Sequence, residues 1–171
     1  MTNVLIVFES KYGSTAEIAD RLGANIRDAA KTATALRVTV SPAKTAPPPD
    51  GYDAIIIGSA VYIARWRKQV SGYLLRHQKT LAQKRVWLFS SGPTGSGDPV
   101  ELLNGWTMPV KLQEAVAGIR PIETIVFHGA VFMDRLGFFD RLLATKVDSP
   151  VGDFRDWEMV AAFAQRIAKQ L

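Results

Sequence analysis

Three short runs of apolar residues, many of them branched, most constrain what this chain can fold into. They are Val4–Phe8, Ala54–Gly58 and Val86–Phe89, and none contains a charged residue. An uninterrupted apolar run of this length is typical of a strand that is covered on both faces of a parallel sheet. Leu36–Val40 alternates as a strand nearer the sheet edge does, and Ile122–Val126 supplies a fifth strand.

Segments with helical spacing follow the strands. Their apolar residues recur about three or four positions apart, as on one face of a helix. These residues are Ile18, Leu22, Ile26 and Ala29 in the first segment, Val70, Tyr73, Leu74, His77 and Leu81 in the second, and Trp157, Val160, Phe163, Ala164, Ile167 and Leu171 in the last. Asp156 is the expected N-cap of the last helix, and Arg166 and Lys169 lie near its negative end.

Strands that alternate with helices predict an α/β fold, because parallel neighbours need a crossover connection and a helix supplies it. We therefore expect a doubly wound five-stranded parallel sheet with helices on both faces, in which residues 1–171 form a single domain. The loop SPAKTAPPPDG, residues 41–51, is expected to lack regular structure because of its prolines. Residues 132–154 do not fit the alternation and are expected to be an insertion.

Composition excludes several classes of site. The 171 residues are 47% hydrophobic and 22% charged, which is ordinary for a globular protein. The chain has no cysteine, so disulfides, thiolate metal sites and cysteine nucleophiles are excluded, and any redox chemistry needs a bound cofactor. His77 and His128 are far apart in sequence and form no metal-ligand pattern, so we expect two structural histidines and no metal site.

The N-terminal sequence and the net charge bear on location and partners. MTNVLIVF has no basic leader, and the longest uncharged stretch, residues 54–64, is far shorter than the roughly 20 residues that a spanning helix needs. We therefore expect a cytoplasmic protein. The formal charge of +5 predicts attraction to an anion, and its sign alone leaves nucleic acid, acidic lipid, acidic protein and acidic substrate open.

Residues 10–15, Ser-Lys-Tyr-Gly-Ser-Thr, stand between the first strand and the first helix. In a doubly wound sheet, ligands bind outside the carboxyl ends of the strands, where the N–H groups at the helix starts face the crevice. Serine and threonine hydroxyls there add donors for phosphate oxygens, and Gly13 allows a close backbone approach. The alternative is that Ser14 and Glu17 form an ordinary capping box, which needs no ligand.

Two other phosphate motifs are disfavoured. No G-x-G-x-x-G follows the first strand, which argues against a dinucleotide site. Gly92 and Gly97 have the spacing of an ATP-binding loop, but Asp98 stands where that loop requires a lysine. A hydroxyl-rich loop for a phosphate monoester remains.

Two further loops follow strands at the same predicted edge of the sheet. Residues 58–66, GSAVYIARW, present small side chains and then Tyr62 and Trp66, while residues 90–99, SSGPTGSGDP, are rich in glycine. Small residues permit the close approach of a flat ring, and aromatic side chains can cover its faces. Taken singly, the second loop is equally consistent with a solvated loop, and the two aromatics with core residues. Together with the phosphate loop, they predict a site for a planar ring that bears one phosphate.

With these three loops the sequence resembles the flavodoxin-like family. Residues 10–15 match its phosphate loop, T/S-x-T/S-G-x-T, except that Tyr12 replaces the usual hydroxyl residue. The resemblance covers nearly the whole chain and implies FMN as the cofactor. It places Ser10, Tyr12, Gly13, Ser14 and Thr15 around the phosphate, and it places Ser59, Ala60, Val61, Tyr62, Ser91, Gly92, Pro93, Thr94, Gly95 and Gly97 beside the isoalloxazine ring.

Within that family the chain looks most like the menaquinone-dependent protoporphyrinogen dehydrogenases. The similarity rests on the segment YDAIIIGSAVYIARWRKQV, on residues 132–154 and on the ending DFRDWEMVAAFAQRIAKQL. It implies an FMN-dependent enzyme that oxidises protoporphyrinogen IX, or a related reduced substrate, and passes the electrons to a quinone, with no nucleic-acid partner. Two alternatives stay open: a flavodoxin-like electron carrier that meets a redox partner protein, and an NAD(P)H-dependent quinone reductase.

Two basic stretches extend this interpretation. Arg65, Trp66, Arg67 and Lys68 follow the second loop and are expected to meet an anionic substrate such as a porphyrinogen, unless they form the solvated first turn of the next helix. Residues 133–147, MDRLGFFDRLLATKV, interleave apolar and basic residues. They are either a peripheral membrane or quinone-docking element at the inner face of the cell membrane, or a helix that packs on its own sheet.

Overall fold

The computed structural model describes residues 1–30, 35–137, 142 and 150–171. The strands in these ranges are β1 (Thr2–Glu9), β2 (Leu36–Pro42), β3 (Ala54–Tyr62), β4 (Arg65–Trp66), β5 (Arg85–Ser91), β6 (Glu123–Phe127), β7 (Ala130–Val131) and β8 (Gly152–Asp153). The helices are α1 (Ser14–Ala29), α2 (Lys68–Leu81), α3 (Pro99–Leu102), α4 (Gln113–Ile119) and α5 (Trp157–Ala168). Short 3-10 turns lie at Pro49–Gly51 and Val110–Leu112.

The central sheet has the predicted doubly wound arrangement. Its parallel strands follow the order β2-β1-β3-β5-β6, so the chain moves from β1 to one side and then crosses to the other. β4 folds back antiparallel onto the end of β3, and β7 and β8 form a separate antiparallel ribbon. The predicted α/β fold is confirmed.

The apolar runs are explained by two cores, one on each face of the sheet. Along β1, Val4 and Ile6 belong to the core that α1 and α5 cover, while Leu5 and Val7 belong to the core that α2 and α4 cover. All four side chains are fully buried. Because successive side chains of a strand point to opposite faces, a strand buried on both faces must be apolar at every position.

The last helix begins where the sequence predicts. Asp156 is its N-cap, and the carboxylate accepts a hydrogen bond of 2.9 Å from the backbone N–H of Met159. Val160, Phe163 and Ile167 are fully buried and pack on the sheet beside α1. The predicted apolar stripe is therefore the face that docks α5.

The proline-rich loop contains more regular structure than predicted. Ser41 and Pro42 extend β2, and Pro49–Gly51 forms a 3-10 turn. A proline is tolerated in β2 because β2 lies at the edge of the sheet. The prediction for residues 41–51 is therefore wrong at both ends of the loop.

The predicted insertion is described only in part. Residues 132–137 continue from β7, and residues 150–154 contain β8. Most of the proposed membrane or quinone-docking element, including Phe138, Phe139, Arg141, Leu143, Lys146 and Val147, lies outside the described residues. Within the described ranges, no helix has the length and apolar character needed to cross a membrane.

Candidate functional site

A pocket of about 490 Å³ opens at the carboxyl ends of β1, β3 and β5. It lies where the connections from β1 and β3 leave the sheet in different directions, which is the usual ligand position in a doubly wound fold. Its walls are formed by Ser10, Lys11, Tyr12, Ser14, Thr15, Ala60, Val61, Tyr62, Ile63, Ala64, Ser91, Gly92, Pro93, Leu103, Gly129, Ala130, Val131, Phe132 and Leu136. The structure thus brings residues from all three predicted loops into one cavity.

The first wall is the loop before α1. Gly13 is the N-cap of this 16-residue helix and has φ +90°, a left-handed conformation that favours glycine. Its N–H donates a hydrogen bond of 3.0 Å to Ser10 Oγ, and its carbonyl accepts one of 3.0 Å from the N–H of Glu17. This tight turn places the start of α1 at the pocket, and the N–H groups of a first helical turn favour an anion.

The capping box expected as the alternative does not form. Ser14 is the first residue of α1 rather than its cap, and its Oγ is buried without a hydrogen-bond partner among the described residues. Glu17 binds two arginines instead of the helix N-terminus. A buried hydroxyl without a partner is costly, so its presence on the wall of the pocket suits a ligand that supplies an acceptor.

A network of charged side chains, formed by Arg155, Glu17 and Asp153, stabilises the first turn of α1. The side chain of Arg155 is only 5% exposed, and its guanidinium lies 2.6 Å from carboxylate oxygens of both Glu17 and Asp153. It also donates a hydrogen bond of 3.3 Å to the carbonyl of Ser14. The hydrogen bonds from Arg155 are the main reason that the pKa values of Glu17 and Asp153 are lowered, with burial acting in the opposite direction. Both carboxylates are therefore ionised at neutral pH.

The second wall is the end of β3 and the turn that follows it. Ala60, Val61 and Tyr62, which the sequence predicts to contact a cofactor, line the pocket together with Ile63 and Ala64. Ser59 does not line the pocket: it is fully buried, donates to the carbonyl of Ala60 and accepts from the N–H of Arg67. Its hydroxyl therefore holds the hairpin closed.

The turn at Ile63 and Ala64 has an unusual backbone. Their φ values are +49° and +53°, although neither residue is glycine. A two-residue hairpin turn of this hand is normally made by asparagine or glycine, and a β-branched residue there is strained. Ile63 is also 81% exposed. The turn therefore has a strained backbone, and it exposes the apolar side chain of Ile63 at the rim of the pocket.

The third wall comes from the glycine-rich loop after β5. Ser91, Gly92 and Pro93 line the pocket, whereas Thr94, Gly95 and Gly97 do not. A Cβ on Gly92 would lie 2.9 Å from Cβ of Val61, so this glycine is required by the neighbouring strand.

His128 anchors the part of that loop that lies away from the pocket. It is 8% exposed, and its Nε2–H donates a hydrogen bond of 2.8 Å to the carbonyl of Gly97. His77 packs its ring 4.6 Å from the ring of Tyr73. Among the described residues, no group of three or more histidine, aspartate or glutamate side chains is placed to hold a metal ion.

The fourth wall was missed by sequence reasoning. Gly129–Phe132 and Leu136 follow β6, whose carboxyl end lies at the same edge as those of β1, β3 and β5. Because the loop after β6 begins at this edge, the predicted strand order could have assigned Gly129–Phe132 to the site. Leu103 and Leu136 belong to no recognisable motif, and only the tertiary path of the chain brings them to the pocket.

The four residues expected to meet a substrate do not line the pocket. Trp66 is 6% exposed and donates its indole N–H to Ser90 Oγ over 2.8 Å, so it is a core residue, and its proposed substrate role is wrong. Arg67 lies 3.9 Å from Glu9, whose carboxylate accepts hydrogen bonds from the first turn of α2. Arg65 and Lys68 are exposed.

Comparisons with known proteins identify the family and the fold. A family model described as a flavodoxin domain matches residues 5–156. A flavodoxin from the domain Archaea is 12% identical with a TM-score of 0.65, and the match covers 99% of this chain and 98% of that one. A flavodoxin of Streptococcus pneumonia TIGR4 is 17% identical with a TM-score of 0.59, covering 99% and 100%.

Part of a larger protein also matches. The rubredoxin oxygen:oxidoreductase of the anaerobe Desulfovibrio gigas is 19% identical with a TM-score of 0.63, and the match covers 99% of this chain and 36% of that chain. No curated protein matches the sequence. At these identities the solved structures show the fold, and the family model shows the family.

Proposed function

This chain belongs to the flavodoxin domain family, and on that premise we propose that it is an FMN-dependent redox protein whose cofactor binds in the pocket at the strand ends. The observation that carries the proposal is Ser14, a pocket-lining residue at the N-terminus of α1 whose buried Oγ has no hydrogen-bond partner among the described residues. A phosphate oxygen is the acceptor that such a hydroxyl lacks.

The phosphate end of the site would be formed by the loop before α1. Ser14 and Thr15 line the pocket there, and Gly13 keeps the backbone free of a side chain that would stand in front of the helix start. The N–H groups of the first helical turn and the hydroxyls can then donate to several phosphate oxygens. Tyr12 lines the pocket beside them.

The ring end would be formed by small and aromatic side chains. Ala60, Gly92 and Gly129 line the pocket near the ends of neighbouring strands, and Tyr62 and Phe132 line it as well. Such surfaces exclude water and orient a planar ring. When bound, FMN supplies the electron and hydride chemistry, and the protein supplies position and electrostatics.

The finer proposal concerns the electron donor and acceptor. We propose a porphyrinogen, or a related reduced anion, as donor and a quinone as acceptor, on the strength of the sequence resemblance. The surface charge supports an anionic donor: Lys11 lies 4.7 Å from the ring of Tyr62, and Arg65 faces Tyr62 across the hairpin. With exposed Lys68 nearby, these cations can steer an anion to the mouth of the pocket.

A second candidate is an electron carrier without a substrate of its own. The lining of the pocket favours it, since no carboxylate or imidazole is present among the described residues that form the walls. A carrier needs no acid or base, whereas removal of hydrogen from a carbon atom usually involves a group that takes the proton.

Anaerobic mixing separates these candidates. The FMN-loaded protein is mixed with protoporphyrinogen, and separately with NAD(P)H, while the visible flavin absorbance is followed. Direct bleaching by porphyrinogen supports the enzyme, and subsequent recovery on addition of a quinone supports the acceptor. Bleaching only through an added reductase supports the carrier.

The proposed electrostatic steering of an anionic donor is tested with one double variant and one control double variant. Arg65→Glu with Lys68→Glu should raise the porphyrinogen concentration needed for half-maximal bleaching, and added salt should reduce the difference. Arg37→Glu with Lys79→Glu changes the net charge equally, but these residues lie at the start of β2 and in the last turn of α2, away from the pocket. Equal behaviour of the two double variants at low salt would remove the steering role.

A further inference from the structure

Residues 130–137 lie beside the start of α1, and two contacts join them to α1 and the loop before it. The guanidinium of Arg135 lies 2.9 Å from the carboxylate of Glu17. The N–H of Gly137 donates a long hydrogen bond of 3.5 Å to the hydroxyl of Tyr12. Phe132 and Leu136 face the pocket. This segment therefore forms a wall beside the loop that is proposed to hold the phosphate.

The guanidinium of Arg135 stands against the turn of that loop. Its Nη1 is 3.8 Å from the position that a Cβ on Gly13 would occupy, so it lies just outside the N-terminus of α1. It packs 4.4 Å from the centre of the Phe132 ring, which restricts where the side chain can go. The side chain is 42% exposed, so a ligand can approach it from solvent.

The negative charge of Glu17 explains why a second cation is useful beside the start of α1. A carboxylate in the first turn of α1 would repel a phosphate dianion bound at the same helix end. Arg155 already shares its guanidinium between Glu17 and Asp153, so it offsets only part of that charge. Arg135 supplies the second cation, and a guanidinium has enough N–H donors to bind Glu17 and a phosphate oxygen together.

We propose that Arg135 is a binding residue for the phosphate of the cofactor, and that it selects phosphorylated flavin over riboflavin. This inference rests on the proposed function, because it assigns a residue to the cofactor expected in that pocket; Arg135 itself lies beside Gly13 and is not one of the residues that line the pocket. Its chemistry is a charge-assisted hydrogen bond to a phosphate oxygen, added to the donors of the helix start. Riboflavin has the same ring and ribityl chain without the phosphate, so it isolates the contribution of Arg135.

The experiment compares FMN and riboflavin binding to the parent, Arg135→Gln, Arg135→Lys and the control Arg37→Gln. Arg37 is exposed at the start of β2, where it pairs with Asn3 at the opposite end of the strands. We expect Arg135→Gln to weaken FMN binding on the order of tenfold, which corresponds to the loss of one hydrogen bond to a charged group. Riboflavin affinity should change by less than about twofold, within the variation expected of a surface substitution. Arg135→Lys should recover part of the loss, and Arg37→Gln should match the parent.

The possible results distinguish the role of Arg135 from the proposed function of the pocket. A loss for FMN alone that shrinks as salt is added supports the assignment. Equal losses for FMN and riboflavin would overturn it, because Arg135 would then act only by holding residues 130–137 in place, and unchanged FMN affinity would overturn it too. A parent that binds neither flavin would overturn the proposed function itself, whereas a parent that binds FMN while Arg135→Gln has no selective effect leaves that function intact.

Discussion

The guanidinium of Arg155 lies 2.6 Å from the carboxylate of Glu17, although 138 positions separate the two residues in the sequence. Arg155 also binds Asp153 and the carbonyl of Ser14. This network therefore connects the segment before α5 to the first turn of α1. It fixes the helix end at which the phosphate is proposed to bind.

Arg155→Gln should lower the free energy of unfolding at neutral pH by about 1 to 2 kcal/mol, because it removes the buried guanidinium that binds both carboxylates, although these are partly exposed and Glu17 keeps Arg135. The pKa values of Glu17 and Asp153 are lowered from 4.5 and 3.8 in the folded protein, so their stabilising contribution is present above those values and is lost as the pH falls below them. The parent and the variant should therefore converge in acid. Urea unfolding across pH measures both effects.

The matched control for this prediction is Arg166→Gln. Arg166 binds Glu123 over 2.7 Å, but its side chain is 44% exposed. Removing such an exposed pair should cost less than about 1 kcal/mol. A loss for Arg155→Gln no larger than that of Arg166→Gln, or a difference that persists in acid, would contradict the structural role of the network.

Ser14→Ala should have opposite effects on the free protein and on the complex. In the free protein it removes a buried hydroxyl that has no partner among the described residues, so stability should stay the same or rise by up to about 1 kcal/mol. In the complex it removes a donor to phosphate, so FMN affinity should fall roughly tenfold.

Ser71→Ala provides the comparison for Ser14→Ala. The Ser71 hydroxyl donates a hydrogen bond of 2.9 Å to the carbonyl of Arg67 at the start of α2. Removal of the Ser71 hydroxyl should leave the affinity for FMN unchanged. Thermal unfolding with and without FMN checks both variants, and equal loss of FMN affinity in both would argue against a phosphate contact at Ser14.

The strained turn between β3 and β4 can be relieved. Ile63→Asn with Ala64→Gly places residues that favour a positive φ at both positions, so the free energy of unfolding should rise by about 1 to 2 kcal/mol. Little apolar burial is lost, because Ile63 is 81% exposed. Denaturant unfolding measures the change, and an unchanged midpoint would show that the turn is not strained.

Two glycines should respond in opposite directions to the same substitution. A Cβ on Gly58 would lie 2.0 Å from the ring of Phe89, so Gly58→Ala should cost roughly 3 kcal/mol or prevent folding. Gly72 lies inside α2, and among the described residues a Cβ added there would meet no atom within 4 Å beyond its chain neighbours and the backbone of its own helix, so Gly72→Ala should gain about 0.5 to 1 kcal/mol. Similar stability of the two variants would contradict the packing of Phe89 against β3.

Much of the fold follows from patterns that are local in the sequence. A strand buried on both faces has to be apolar throughout, which identifies β1, β3 and β5. The carboxyl ends of parallel strands share an edge, so the order of strands and helices along the chain is enough to assign the loops after those strands to one site.

What sequence reasoning missed depends on contacts between distant residues. Ser14 and Glu17 have the spacing of a capping box, but Arg135 and Arg155, more than a hundred positions away, bind Glu17 instead. Trp66 stands among basic residues, yet its indole N–H reaches Ser90 on a neighbouring strand. The residues next to Glu17 and Trp66 in the sequence do not indicate these contacts, so residue spacing alone could not predict them.

Titration of the protein with FMN tests the central claim most directly, using the parent, Ser14→Glu and Ser14→Gln. Glutamate and glutamine are similar in size, so their difference isolates the repulsion between a carboxylate and the phosphate at the start of α1, where a negative side chain is itself compatible with the helix. We predict that the parent binds one FMN per chain, that Ser14→Gln binds more weakly, and that Ser14→Glu loses a further factor of about 10 or more with its fold unchanged by circular dichroism. FMN binding to Ser14→Glu as tight as to the parent would contradict the proposed phosphate site.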